Sequence, residues 1–253
     1  MAFFYDLTDK FKRYGKFTPY EIRGIITIIL VSAFIISFNK WGEGDNFDFN
    51  VGMMNFLMAV IIAAITVMVA QFAHRLSGLQ GGFRVEYRTW YLGLVIGLIM
   101  IFLSRGAIWL ILPGGIFIHH MSAHRLGFFR YGANTFAIGM AALAGPLANI
   151  ILATAIKTLE VWFSIPVTQI YFLNTLIFFN WAYALYNLLP IPPLPGSAIL
   201  FQSRMIYAFI FGSVAGYFAL LAAGIYSFVF ALLIGVVIWL LYYIIFERFS
   251  WKG

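Results

Sequence analysis

Few side chains in this sequence can bind a metal or move a proton. There are four histidines (His74, His119, His120 and His124), nine carboxylates and no cysteine in 253 residues. Without cysteine, disulfides, thiolate metal sites and cysteine nucleophiles are excluded. His120 and His124 are spaced i, i+4, so a helix there would turn two imidazoles to one side, next to His119, as a zinc site requires. Met121 stands where a general base would be needed. The plainer reading of the cluster is a polar interfacial patch beside Arg125 and Arg130, held at anionic lipid headgroups. No Asp or Glu occurs at 49–85, 87–159 or 161–246. Glu86, between Arg84 and Arg88, reads as a member of a solvated ion pair.

The elements that must carry these groups belong to a membrane. Of the residues 63% are apolar and 10% charged, against about 25% charged in soluble domains. A soluble core of this size could not bury that much apolar surface. Apolar blocks of spanning length lie at about 24–39, 53–74, 137–156 and 168–189. The 42 uncharged residues of 205–246 would reach about 63 Å as one helix, so two spans turning near Ala223-Gly224 are expected. The block 90–112 is broken by Ser104-Arg105-Gly106. If it dips in and returns to the same side, thirteen of the sixteen Lys and Arg residues fall on the side of the N-terminus. By the positive-inside rule that side is cytoplasmic. The net charge of +7 then reflects topology, and no nucleic-acid partner is expected. Residues 1–23 read as a polar cytoplasmic arm, without the pattern of a cleavable signal peptide. Residues 24–250 read as a single membrane domain. The expected fold is an all-α polytopic membrane protein of six to seven transmembrane helices. A re-entrant or edge-strand element is placed between the second and fourth apolar blocks.

Three segments stand out from this apolar background: Val69-Ala70-Gln71-Phe72-Ala73-His74-Arg75, then Ala144-Gly145-Pro146-Leu147-Ala148-Asn149, then Asn187-Leu188-Leu189-Pro190-Ile191-Pro192-Pro193-Leu194-Pro195-Gly196-Ser197. In order and spacing, over about 51–203, they resemble the site-2 protease family of intramembrane zinc metalloproteases. That family carries an H-E-x-x-H helix, an A-G-P-x-x-N segment and an N-x-x-P-x-x-P-x-D-G segment. Leu112-Pro113-Gly114-Gly115-Ile116 looks like the family's edge element. In such a site two His at i, i+4 and a distant Asp hold zinc, and the Glu takes a proton from the metal-bound water.

Mapped onto this sequence, the resemblance puts Ala70 at the first ligand, Gln71 at the general base, His74 at the second ligand and Pro195 at the third. Two ligands and the base are therefore missing, and zinc, the family's cofactor, is not expected here. Asn149 and Asn187 match asparagines thought to help hold substrate, although an interhelical hydrogen bond serves equally well. Gly114 and Gly115 belong to an edge that could pair with an extended peptide by strand addition.

The expected function is a proteolytically inactive, site-2-protease-like protein of a prokaryotic (archaeal or bacterial) cell membrane. Its partners would be the lipid bilayer and transmembrane or extended segments of other membrane proteins. One alternative is an intramembrane metalloprotease cleaving transmembrane substrates. It would be active through the His119–His124 cluster, or silenced deliberately, since His-to-Ala and Glu-to-Gln are changes used for that purpose. The other is a small transporter, weakened because the spans carry almost no ionisable groups.

Overall fold

The computed structural model describes residues 2–43, 46–120, 135–163, 170–225 and 227–248. The chain enters through α1 (Ala2–Tyr14), within the 1–23 arm, and α2 (Pro19–Ser37). Thr18 caps α2 by a reciprocal box. Its hydroxyl accepts from the Glu21 N–H at 3.2 Å, and Glu21 accepts from the Thr18 N–H at 2.7 Å. Two donors that a helix start leaves unpaired are satisfied in this way. A small hairpin, β1 (Gly42–Glu43) with β2 (Asn46–Phe47), turns the chain into α3 (Phe49–Gln80), which Asp48 caps. The chain continues through β3 (Phe83–Thr89), α4 (Tyr91–Leu103), β4 (Gly114–His120), α5 (Thr135–Phe163) and α6 (Tyr171–Asn187). It ends in α7 (Pro195–Gln202), α8 (Arg204–Ala222) and α9 (Phe228–Tyr242), with a final π-helical turn.

The chain is an all-α polytopic membrane protein. Five helices (α2, α3, α5, α8 and α9) are long and apolar enough to cross a bilayer. With 17 residues, α6 is shorter but runs between the same two ends of the bundle. Its first residue, Tyr171, lies under the Lys40 ammonium at 5.5 Å, and the loop beyond its last residue touches β4. The turn expected near Ala223-Gly224 is present, with Gly224 at φ +75° between α8 and α9.

The segment 90–113 is a deep hairpin, helical going in and extended coming back. After α4 the chain reverses at Arg105 and Gly106, whose φ values are 50° and 83°. The tip lies against the end of α2, where the Asn39 amide donates to the Arg105 carbonyl at 2.8 Å. The return strand runs down α4 and closes where it began, with the Trp90 N–H on the Pro113 carbonyl at 2.9 Å. A Cβ on Gly97 would sit 2.4 Å from the Leu110 carbonyl oxygen, and one on Gly93 2.5 Å from that of Leu112. Glycine is what lets extended backbone lie on this helix. Irregular backbone at membrane depth survives when it is enclosed by protein, and Ile111 and Leu112 are buried.

This hairpin brings β3 and β4 together. They pair antiparallel from Phe83↔His120 to Thr89↔Gly114. Phe83, Val85 and Tyr87 are buried, while Arg84, Glu86 and Arg88 point the other way. The period of two is legible in F-R-V-E-Y-R-T, and β3 is the partner of the edge expected around Gly114. α6 divides the interior. Leu176, Phe179 and Tyr183 join the core with α2 and α3, and Ile177 and Trp181 join that with α5, α7 and α8.

Candidate functional site

The three motif segments meet at the end of the bundle that carries β3 and β4. On α3, Ala70, Gln71, His74 and Arg75 are all buried. The His74 imidazole crosses to α5, where its Nδ1 is 2.7 Å from the Ala141 carbonyl. A carbonyl can only accept, so Nδ1 carries the proton and Nε2 is left with its lone pair. Nε2 lies against Gly145, where an added Cβ would be 2.1 Å away. The glycine of A-G-P is thus the surface on which the His74 imidazole rests. Nearer the helix ends, Gly81, the C-cap of α3, meets Ala137 of α5, so the two helices run antiparallel. One turn beyond His74 and Gly145, that register sets Gln71 and Ala70 level with Asn149.

The polar groups at that level are unpaired. Asn149 is 0% exposed, and neither its amide nitrogen nor its oxygen has a hydrogen-bond partner among the described residues. The Gln71 Nε2 is in the same condition. Buried polar atoms nearly always find partners, so two unsatisfied carboxamides at one level are unusual. Asn187 differs, since its Nδ2 donates to the Tyr183 carbonyl of its own helix at 2.8 Å.

The third segment forms a wall behind β4. A Cβ on Gly115 would lie 1.7 Å from the Pro193 carbonyl oxygen. Pro195 is buried and opens α7, the helix position where a missing N–H costs nothing. Gly196 packs against the Leu188 carbonyl, which also accepts the Tyr207 hydroxyl at 2.9 Å. Ala70 sits in a buried cluster with Tyr87 and Tyr183. Burial, and then its neighbour Tyr183, hold the Tyr87 hydroxyl protonated well above the usual tyrosine range. It offers neither a phenolate ligand nor a base near neutral pH.

The mapped residues do not fit zinc. Of the four mapped positions only His74 has a ligand side chain, since Ala70 and Pro195 bring no donor and Gln71 brings an amide. Among the described residues no three His, Asp or Glu side chains are grouped as a metal site. The histidine cluster is also not helical at its start, because β4 runs through His119 and His120. His124 and the segment that leads to it lie outside the described residues. His119 is exposed and meets Glu86 at 3.3 Å, and Glu86 also pairs with Arg84 at 3.0 Å. Arg88 instead covers the Phe117 ring at 4.2 Å.

One residue at this end escaped the sequence reading. Glu21, assigned to the polar arm, is 2% exposed and forms an ion pair with Arg75, the neighbour of His74. The same carboxylate accepts the Tyr87 N–H at 2.8 Å. Arg75 also reaches the Lys16 carbonyl at 3.3 Å and lies 3.9 Å from the centre of the Phe17 ring. The T-x-x-E signature marks Glu21 as a helix cap, but its partner is 54 residues away.

The chain is similar to a protein of Methanocaldococcus jannaschii named "Putative zinc metalloprotease". The two are 29% identical over 203 residues, which cover 80% of this chain and 94% of the other. No family model matches the chain, and no solved structure matches it significantly. The 203 matched residues take in all three motif segments, which the fold packs around His74, and this likeness supports a site-2-protease-like metalloprotease family.

Proposed function

We propose that this protein is a non-catalytic member of its family that binds transmembrane or extended segments of other membrane proteins. The observation that carries this reading is the donor set around His74. Ala70, Gln71 and Pro195 are buried at the mapped positions, and one imidazole cannot hold a catalytic zinc with an open water position. The features that would grip a peptide are kept. Among the described residues no strand pairs with the second edge of β4. Next to it lies the Pro-rich loop, and deeper in the same end of the bundle the carboxamides of Asn149 and Gln71 have atoms without partners among the described residues. An unwound segment laid along β4 would be held by main-chain hydrogen bonds without being cut. The site would face the cytoplasm of a prokaryotic cell, the side to which the basic residues assign the N-terminus.

The test is zinc content together with proteolysis of the purified protein in lipid. The expected result is sub-stoichiometric zinc and no cleavage of a transmembrane substrate. One zinc per chain with chelator-sensitive cleavage would overturn the proposal. The relative's name favours a second reading, a protease silenced at its metal site. For that reading the triple change Ala70→His, Gln71→Glu and Pro195→Asp restores zinc binding and cleavage. For the non-catalytic reading it restores neither.

A further inference from the structure

The first helix carries a feature that the family reading leaves unused. In α1, Leu7, Phe11 and Tyr14 recur at i, i+4 and i+7, the spacing of one helix face. Asp9, Lys12 and Arg13 fall on the other side, and Asp9 and Arg13 pair there at 3.0 Å. Phe11 is 37% exposed, so this apolar face is not fully covered by the chain itself. Residues 2–17 hold Lys10, Lys12, Arg13 and Lys16 against Asp6 and Asp9, which leaves the arm net basic.

The arm is fixed at a definite level. Only residues 15–18 separate α1 from the spanning helix α2. They are clamped: the Gly15 N–H bonds to the Phe11 carbonyl at 2.8 Å, Arg75 holds Lys16 and Phe17, and the Phe17 ring meets Phe72 edge-on at 5.7 Å. α1 therefore lies against the end of α3. The outward surface of the spanning helices at that level is apolar and open, with Phe72 44%, Leu76 43% and Ile22 46% exposed. In a helix that crosses a membrane, such side chains meet lipid. The apolar face of α1 continues that surface at the level where headgroups begin.

We propose that α1 is an interfacial helix whose partner is the anionic headgroup surface of the bilayer. Leu7, Phe11 and Tyr14 sink below the headgroups, while Lys10, Lys12 and Lys16 meet lipid phosphates. Apolar burial and attraction to anionic lipid act together in such helices, with each basic residue worth about a five-fold gain in partition. Because its root rests on Arg75, the lipid-bound arm also fixes the end of the helix that carries His74.

The absence of cysteine makes a single introduced cysteine a unique labelling site in the full chain. Leu7→Cys, Lys12→Cys and Val236→Cys are each labelled with an environment-sensitive fluorophore. The proteins are reconstituted in vesicles of phosphatidylcholine, with and without phosphatidylglycerol. With phosphatidylglycerol, the probe at 7 is quenched by lipid carrying a spin label near the headgroup and shielded from aqueous iodide, whereas the probe at 12 is open to iodide. The combined variant Lys10→Gln, Lys12→Gln and Lys16→Gln weakens partition of the arm about a hundredfold and loses the response to phosphatidylglycerol. The probe at 236, on the exposed face of α9, stays lipid-quenched throughout and shows that each variant is folded and inserted. A probe at 7 open to iodide in both vesicles overturns the proposal. So does one closed to both quenchers, which means the face is covered by protein, or one indifferent to phosphatidylglycerol.

Discussion

Gln71 and Arg75 lie one turn apart on the same helix and are 2% and 3% exposed, yet their surroundings have opposite character. The Arg75 guanidinium meets a carboxylate, a carbonyl and an aromatic ring, all supplied by the start of the chain. Gln71 and the facing Asn149 have carboxamide atoms with no protein partner. Burying a charge is tolerable only when it is paired and hydrogen-bonded, and the Arg75 junction is a structural clamp built to that requirement. An unsatisfied buried amide does not contribute to stability. The two levels of α3 thus separate a paired part that holds the fold together from a part whose buried amide atoms have no partner among the described residues.

The largest effect belongs to the clamp. Glu21→Ala leaves Arg75 buried without its carboxylate and costs about 3–5 kcal/mol, read as an early thermal transition in detergent or lipid. If the melting point barely moves, the clamp is not structural and the contrast fails.

Gly145→Ala comes next. Its methyl would sit 2.1 Å from the His74 Nε2, and overpacking of this kind costs about 1–3 kcal/mol. In a His74→Ala background the same change becomes nearly neutral, since neighbours that share a contact are not additive. A double-mutant cycle of unfolding free energies shows whether the imidazole rests where the structure places it.

The smallest effect on stability is expected at Asn149. Asn149→Leu removes a buried amide with no protein partner, so stability stays level or rises by up to about 1 kcal/mol. A loss comparable to that of Glu21→Ala would make Asn149 a structural residue and erase the difference between the two levels.

Much of the fold was legible because the signals that carry it are local. Uncharged runs give the spans, Ser104-Arg105-Gly106 gives the hairpin tip, and the surplus of basic residues at one end favours a returning segment over a crossing one. The site was legible in part. Motif order placed Ala70, Gln71, His74, Asn149 and Pro195 near one another, while the i, i+4 spacing of His120 and His124 would serve a metal only in a helix. The structure instead continues a strand through His120, because F-R-V-E-Y-R-T provides a partner with the matching period of two. The arm shows the same limit. Residues 1–23 look polar as composition, while the periodicity within them builds an amphipathic helix and a buried carboxylate.

By itself the sequence determined that the chain carries apolar spans of membrane length, that its motif order resembles that of the site-2 protease family, and that Ala70, Gln71, His74 and Pro195 stand at the positions the resemblance maps. Those are consequences of residue type and short-range spacing. The tertiary structure alone decided that Glu21 neutralises Arg75, that Gly145 seats the His74 imidazole, and that Asn149 and Gln71 are enclosed with amide atoms lacking partners among the described residues. Each depends on which surfaces meet across tens of residues. Burial converts an ordinary carboxylate into a clamp and gives weight to the pairing of an ordinary amide.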